Sequence, residues 1–330
     1  SITLGDNVVT VGDYAFDAVN DFSSLTSLTL GSSLTSIGTS AFLAGSAPLT
    51  SLVIPDSVTS IGTSAFSGFT GLTSLTLGSD LTSIGSNAFY GAANLTSLVI
   101  PDSVTSISSG AFGGFTSLTS LTLGSGLTSI GSSAFYGAAN LTSLVIPDSV
   151  TNIGDFAFSN TGLTSVTIPD SVTNIGNYAF RGSALTSVTL GSGITYIGTE
   201  AFWQPELASL TIPASVTSIG DRAFGDIPLK TLVIGASAID KSQVGYDVFF
   251  NACQTLESVS IDTLTALGRH GSPTYTSHVD PDGNQIYYMT YKGLHFGRFN
   301  SAQNNNYQPT AHQCPKLESI TLGDNVVTVG

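Results

Sequence analysis

Apolar positions recur along this chain in a fixed rhythm. From Leu49 the sequence reads LTSLVIPDSVTSIGTSAFSGFTG, and from Leu72 the same 23-residue pattern begins again as LTSLTLGSDLTSIGSNAFYGAAN. Leu49, Leu52 and Ile54 predict a short strand facing inward, Pro55 and Asp56 turn the chain, and Val58 and Ile61 enter the interior again. Ala65 and Phe66 then fill it. The Ala-Phe pair marks every unit, with phenylalanines at 16, 42, 66, 89, 112, 135, 158, 180, 202 and 224, spaced by 26, 24, four times 23 and three times 22 residues.

A single unit cannot stand alone. Its six or seven apolar side chains are worth about 1.5–3 kcal/mol each, against roughly 1–2 kcal/mol of backbone entropy for every residue ordered. Stacking lets each unit bury the open face of the next. The expected fold is a β-rich solenoid with rungs of 22 to 24 residues, short strands on one face, and one long loop or hairpin insertion. A second period lies over the first: the 46 residues from Leu72 to Ser117 are nearly rewritten from Leu118, so rungs were duplicated in pairs. The exposed strand position then alternates Val53, Thr76, Val99, Thr122, Val145, and with Thr-Ser beside it at every level it predicts ladders of hydroxyls and methyls.

These letters resemble the BspA-like leucine-rich repeats, also known as the Treponema pallidum type. Their pattern has a strand, a second apolar pair, Ala-Phe, and often a Cys shortly before the next strand. Here most rungs replace that Cys with small or aromatic residues such as Phe69 and Phe115. The resemblance implies a curved, non-enzymatic solenoid that is extracellular or on a cell surface, where it binds host proteins, other cells or matrix.

The rhythm holds over residues 1–268, fails over 269–313, and resumes over 314–330. The resumed stretch, Ser319 to Gly330, repeats Ser1 to Gly12 letter for letter as SITLGDNVVTVG, at an offset of 318 residues. The other rungs read LGSxLTSIG or IPDSVTSIG at this point, so ordinary rung similarity does not explain the identity. The expectation is one period of a tandem array whose partners are copies of itself, covalently continuous or stacked head to tail. Covalent continuity is favoured, because identical segments compete for one slot whereas stacking needs complementary ends.

Residues 269–313 hold all four histidines, the one Met and five tyrosines. TYTSHV and QIYYMTY around an Asp-Gly turn predict a β-hairpin. Tyr275, His278, Tyr287, Tyr288, Tyr291, His295 and Tyr307 are the binding candidates, because tyrosine offers an apolar face with a polar tip to a host or matrix protein or a glycan. Packing on the solenoid or on a neighbouring fibre is the alternative. Asp280, Asp282 and Asn284 alternate as in a calcium loop, but the twelfth position is Tyr291 rather than Glu, which favours a plain turn. Histidines at spacings of 8, 17 and 17 match no zinc pattern.

Cys253 and Cys314 each sit three residues before a strand leucine, hence at equivalent places on consecutive rungs, where either a disulfide or two free buried thiols fit. Asn94-Leu-Thr and Asn140-Leu-Thr are glycosylation sequons. No cofactor is expected, and with no histidine in the regular rungs no Ser-His-Asp arrangement can form on them. A formal net charge of -14 repels nucleic acid and anionic lipid, and no apolar run is long enough to span a bilayer or resembles a signal segment.

Overall fold

The computed structural model describes residues 1–16, 22–44, 46–203, 205–235, 248–249 and 255–261, together with the strands Thr274–Val279, Gln285–Tyr291, Leu294–Asn300 and Ser319–Leu322. It is a parallel β-solenoid without helix among those residues. The inward set is the one the rhythm predicts: in one rung Leu49, Leu52, Ile54, Val58, Ile61, Ala65 and Phe66 are all at most 2% exposed.

The spine of the core is a column of phenylalanine rings. Phe16, Phe42, Phe66, Phe89, Phe112, Phe135, Phe158, Phe180, Phe202, Phe224 and Phe249 stack one on the next, with centroids 4.8–5.7 Å apart and planes within 17° of parallel. Phe249 extends the column beyond the Ala-Phe series, because Val248 replaces alanine there. Phe69 and Phe115, the aromatic replacements of cysteine, meet Phe66 and Phe112 edge-on at 5.8 and 5.6 Å.

Strands stand in two columns. The second column, from Thr10–Val11 to Ser218–Ile219, is an unbroken ten-stranded parallel sheet in which each Ser-Ile type pair lies over its equivalent. Strands of two residues persist there because each rung adds a further bond. Thr82 donates both its N–H (2.9 Å) and its hydroxyl (3.0 Å) to the Thr59 carbonyl, and Thr128 does the same to Thr105 (2.9 and 3.0 Å).

The first column is interrupted. Ser51–Val53 pairs with Ser74–Thr76, and Ser97–Val99 with Ser120–Thr122, but no ladder joins the two pairs, and no strand forms around Val145, which is 83% exposed. The continuous ladder expected on that face is therefore a series of short pairs. At the far end, Ser209–Ile212, Thr231–Ile234, Ser258–Ile261 and Ser319–Leu322 form a four-stranded parallel sheet. Ser258 lies opposite Ser319, so the solenoid resumes directly across the intervening 57 residues (319 − 261 − 1).

Candidate functional site

Several threonines of the Thr-Ser pairs beside the first-column strands already donate their hydroxyls within the scaffold. Thr73, Thr119, Thr164 and Thr186 give their side-chain protons to the carbonyls of Thr50, Thr96, Thr142 and Thr164 on the preceding rung. The serines of the Pro-Asp-Ser turns do likewise, Ser57 to Leu34 at 2.7 Å and Ser103 to Leu81 at 2.7 Å. A repeating hydroxyl is cheap to keep here because it satisfies a carbonyl that the next strand only partly uses.

The alternating turns fit one another. Asp102 on a Pro-Asp-Ser rung accepts the N–H of Ser125 on the following Gly-Ser rung at 2.7 Å, and Asp56, Asp170 and Asp6 repeat the contact with Ser79, Ser192 and Ser32. These backbone N–H bonds hold the Asp6, Asp102 and Asp170 carboxyls below the usual aspartate range. The glycine of the Gly-Ser turn, Gly78 or Gly124, faces the Pro55 or Pro101 carbonyl so closely that no Cβ fits. One turn type is thus complementary to the other.

The Ala-Phe turns form a third edge. The residue before each alanine has a left-handed backbone: Tyr14 (φ 54°), Ser40 (50°), Ser64 (54°), Asn87 (54°), Gly110 (65°), Ser133 (56°), Phe156 (56°), Tyr178 (60°), Glu200 (49°) and Arg222 (51°). A non-glycine residue resists this conformation by roughly 1–2 kcal/mol. The turn is held because it aims two N–H groups at the next rung, as Asn87 donates to Ser109 (2.8 Å) and Phe89 to Ala111 (2.9 Å). Side chains on this edge remain accessible: Tyr90 is 49% and Tyr136 41% exposed, and Phe156 stacks on Tyr178 at 4.5 Å. The sequence reading passed over this edge, although the recurring Ala-Phe-Tyr triplet at 88–90 and 134–136 is visible in the letters.

In the insertion, Thr274–Val279 and Gln285–Tyr291 pair antiparallel, with Tyr275 opposite Met289, Ser277 opposite Tyr287 and His278 opposite Ile286. Leu294–Asn300 adds a third strand that no sequence pattern announced, with Tyr287 opposite Phe299, Tyr291 opposite Leu294, and an irregularity between Tyr288 and Thr290. Six of the seven binding candidates, Tyr275, His278, Tyr287, Tyr288, Tyr291 and His295, thereby fall on one three-stranded sheet. Tyr307, Asp280, Asp282 and Asn284 lie outside the described residues, as do Cys253 and Cys314. The pairing of Ser258 with Ser319 has the same offset as the two cysteines, 61 residues (319 − 258 and 314 − 253). Asn94 and Asn140 are exposed, and each amide donates to the preceding rung, to Thr70 at 2.9 Å and Thr116 at 2.7 Å. Among the described residues no group of three or more His, Cys, Asp or Glu side chains is placed to hold a metal, and no helix is long and apolar enough to cross a membrane.

Known proteins place this architecture. The family model of the BspA type leucine rich repeat region matches in six copies, over residues 1–46, 43–161 and 128–257. No curated protein matches the chain. Among solved structures, a leucine-rich repeat protein from Bacteroides ovatus is 25% identical, with a TM-score of 0.60 over 78% of this chain and 72% of that one. A leucine rich cell surface protein from Faecalibacterium prausnitzii is 27% identical, with a TM-score of 0.48 over 70% of this chain and 71% of that one. Rung length, the Ala-Phe column and the family match over most of the solenoid agree: the chain belongs to the BspA-type leucine-rich-repeat family.

Proposed function

We propose that this chain is a non-enzymatic, extracellular or cell-surface solenoid whose 318-residue unit recurs in tandem, so that its role is to span distance as a stalk or filament. One observation carries the reading. The twelve residues SITLGDNVVTVG occur twice, and each copy begins with a strand of the same column: Ile2–Thr3 pairs with Leu28–Thr29, and Ser319–Leu322 pairs with Ser258–Ile261. That the second copy pairs in the same column as the first supports a further unit starting there. Twelve rungs at about 4.8 Å make that unit roughly 55–60 Å long.

Reading the coding sequence, or the peptides of the native material, past Gly330 tests this. A near copy of DYAFDAVNDF following directly is the expected result; an unrelated sequence there sinks the tandem reading.

A second reading is an adhesin that binds a host protein or glycan. It is favoured by the tyrosines that share the inserted sheet. Deleting residues 269–313 then abolishes binding and leaves assembly intact, whereas in the stalk reading the deletion changes how filaments pack side by side.

A further inference from the structure

The Ala-Phe edge carries a groove that neither the stalk nor the insertion accounts for. It has a volume of about 400 Å³ and is lined by Asn87, Tyr90, Ser109, Gly110, Ser133, Tyr136 and Phe156, so it runs across four consecutive rungs. Its floor is the rung of Gly110 and Gly113, which has no side chain at either edge position. The Tyr90 ring lies over Gly113, where a Cβ would come within 3.0 Å of it. Tyr136 is steadied by its hydroxyl, which accepts from the Asn160 amide at 3.2 Å. Beyond it the aromatic surface continues: Phe156 stacks on Tyr178 with planes 14° apart, the Arg181 guanidinium sits 5.4 Å from the centre of the Tyr178 ring, and that of Arg222 sits 5.7 Å from Trp203.

The chemistry of this lining selects its occupant. None of the seven residues is charged at neutral pH, in a chain of formal charge -14. A cationic partner finds no counter-charge in the groove, and an anionic one meets an unfavourable overall field. The groove is open rather than enclosed, so it offers no pocket to anchor an apolar peptide side chain. What it does offer is two exposed aromatic faces two rungs apart, roughly 10 Å, with an amide and hydroxyls at the rim. A chain of sugar rings has the matching pattern, because each ring presents a C–H face for stacking and equatorial hydroxyls for hydrogen bonds.

We propose that this groove binds a neutral oligosaccharide along the solenoid axis, with sugar rings on Tyr90 and Tyr136 and with Asn87 and Ser133 contacting their hydroxyls, while Ser109, whose own proton goes to the Ser132 carbonyl at 3.0 Å, can only accept. The site is separate from the tandem repeat and from the inserted sheet, and it stands or falls independently of both.

The test is calorimetric titration of the whole 330-residue chain with malto-, cello-, chito- and mannohexaose, and with a chondroitin sulfate hexasaccharide as the anionic comparison. At least one neutral hexasaccharide should bind at millimolar concentration or below, and the sulfated one should not. Tyr90→Ala and Tyr136→Ala should each weaken that binding about tenfold, which is the upper range for one aromatic face. Both side chains are exposed, so an unchanged thermal unfolding curve shows that the variants still fold. Gly113→Ser, which places atoms against the Tyr90 ring, should also weaken binding. The proposal is overturned if no neutral hexasaccharide binds, if only the sulfated one does, or if binding survives both tyrosine substitutions. Binding that disappears only when residues 269–313 are deleted would move the site to the insertion and overturn it equally.

Discussion

Truncating Phe112 to alanine removes the ring at the middle of the stacked column, and its cost follows from what that ring touches. Phe112 is fully buried, lies 5.5 Å from Phe89 and 5.6 Å from Phe135 with nearly parallel planes, and receives Phe115 edge-on at 5.6 Å. A buried Phe→Ala change costs about 3–5 kcal/mol, and three lost ring contacts place this one near the top of that range, at about 5 kcal/mol. Phe112→Leu keeps most of the volume, and about 2 kcal/mol is expected for it. In a solenoid each rung is stabilised mainly by its neighbours, so the loss falls on two interfaces and uncouples the rungs on either side. Guanidinium unfolding followed by circular dichroism should change from one transition to two. Hydrogen exchange should show lost protection at the Phe89 and Phe112 amides, which donate to Ala111 and Ala134. A single transition for Phe112→Ala, displaced by less than about 1 kcal/mol, would refute the idea that the column is the spine of the core.

Gly85→Ala puts a Cβ 2.5 Å from the Gly62 carbonyl carbon, and Ser108 shows how the fold yields at an equivalent place: its N–H to Ile84 stretches to 3.1 Å where the glycine rungs have 2.7–2.8 Å. A loss of about 1–3 kcal/mol in thermal or chemical unfolding is expected, with Ser108→Gly near neutral because the shorter bond is offset by the backbone freedom of glycine. The carboxyls of Asp6, Asp102 and Asp170 are held below their ordinary value of 3.8, so their bonds to the next rung stabilise the fold above that pH and are lost as pH falls below it through the folded-state values. Denaturation midpoints measured from neutral to strongly acidic pH should fall mainly below pH 3.8, and Asp102→Asn should shallow that fall. The shared 61-residue offset (319 − 258 and 314 − 253) predicts that mild oxidation joins Cys253 to Cys314 within one chain. Peptide mass spectrometry before and after reduction checks this, and links only between chains would contradict it.

The core was readable because the same apolar positions recur rung after rung: Leu52, Ile54, Val58, Ile61, Ala65 and Phe66 could be assigned inward from the letters, and all are buried. Phe249 escaped because it follows valine rather than alanine, and the pattern that marked the column was a pair of residues rather than a position in space. The Thr-Ser pairs beside the strands read as an exposed hydroxyl ladder, yet Thr73 and Thr119 donate to Thr50 and Thr96, and such contacts depend on one rung lying over another. The aromatic edge was missed for a related reason. Tyr90, Tyr136 and Phe156 are 20 to 66 residues apart and occupy two different positions of the repeat, so only stacking brings them to one groove.

By itself the sequence determined the rung, its inward side chains, the place where the rhythm breaks and the twelve residues that recur, because each of these is a local or periodic property of the chain. The tertiary structure alone decided which rung each polar group serves. Asp102 capping the turn at Ser125, the left-handed turns before each alanine, the broken first column and the resumption at Ser319 across the insertion are all set by the register between rungs. That register follows from backbone hydrogen bonds and ring stacking between residues some 22 to 26 positions apart, a separation at which a linear pattern repeats but does not say what touches what.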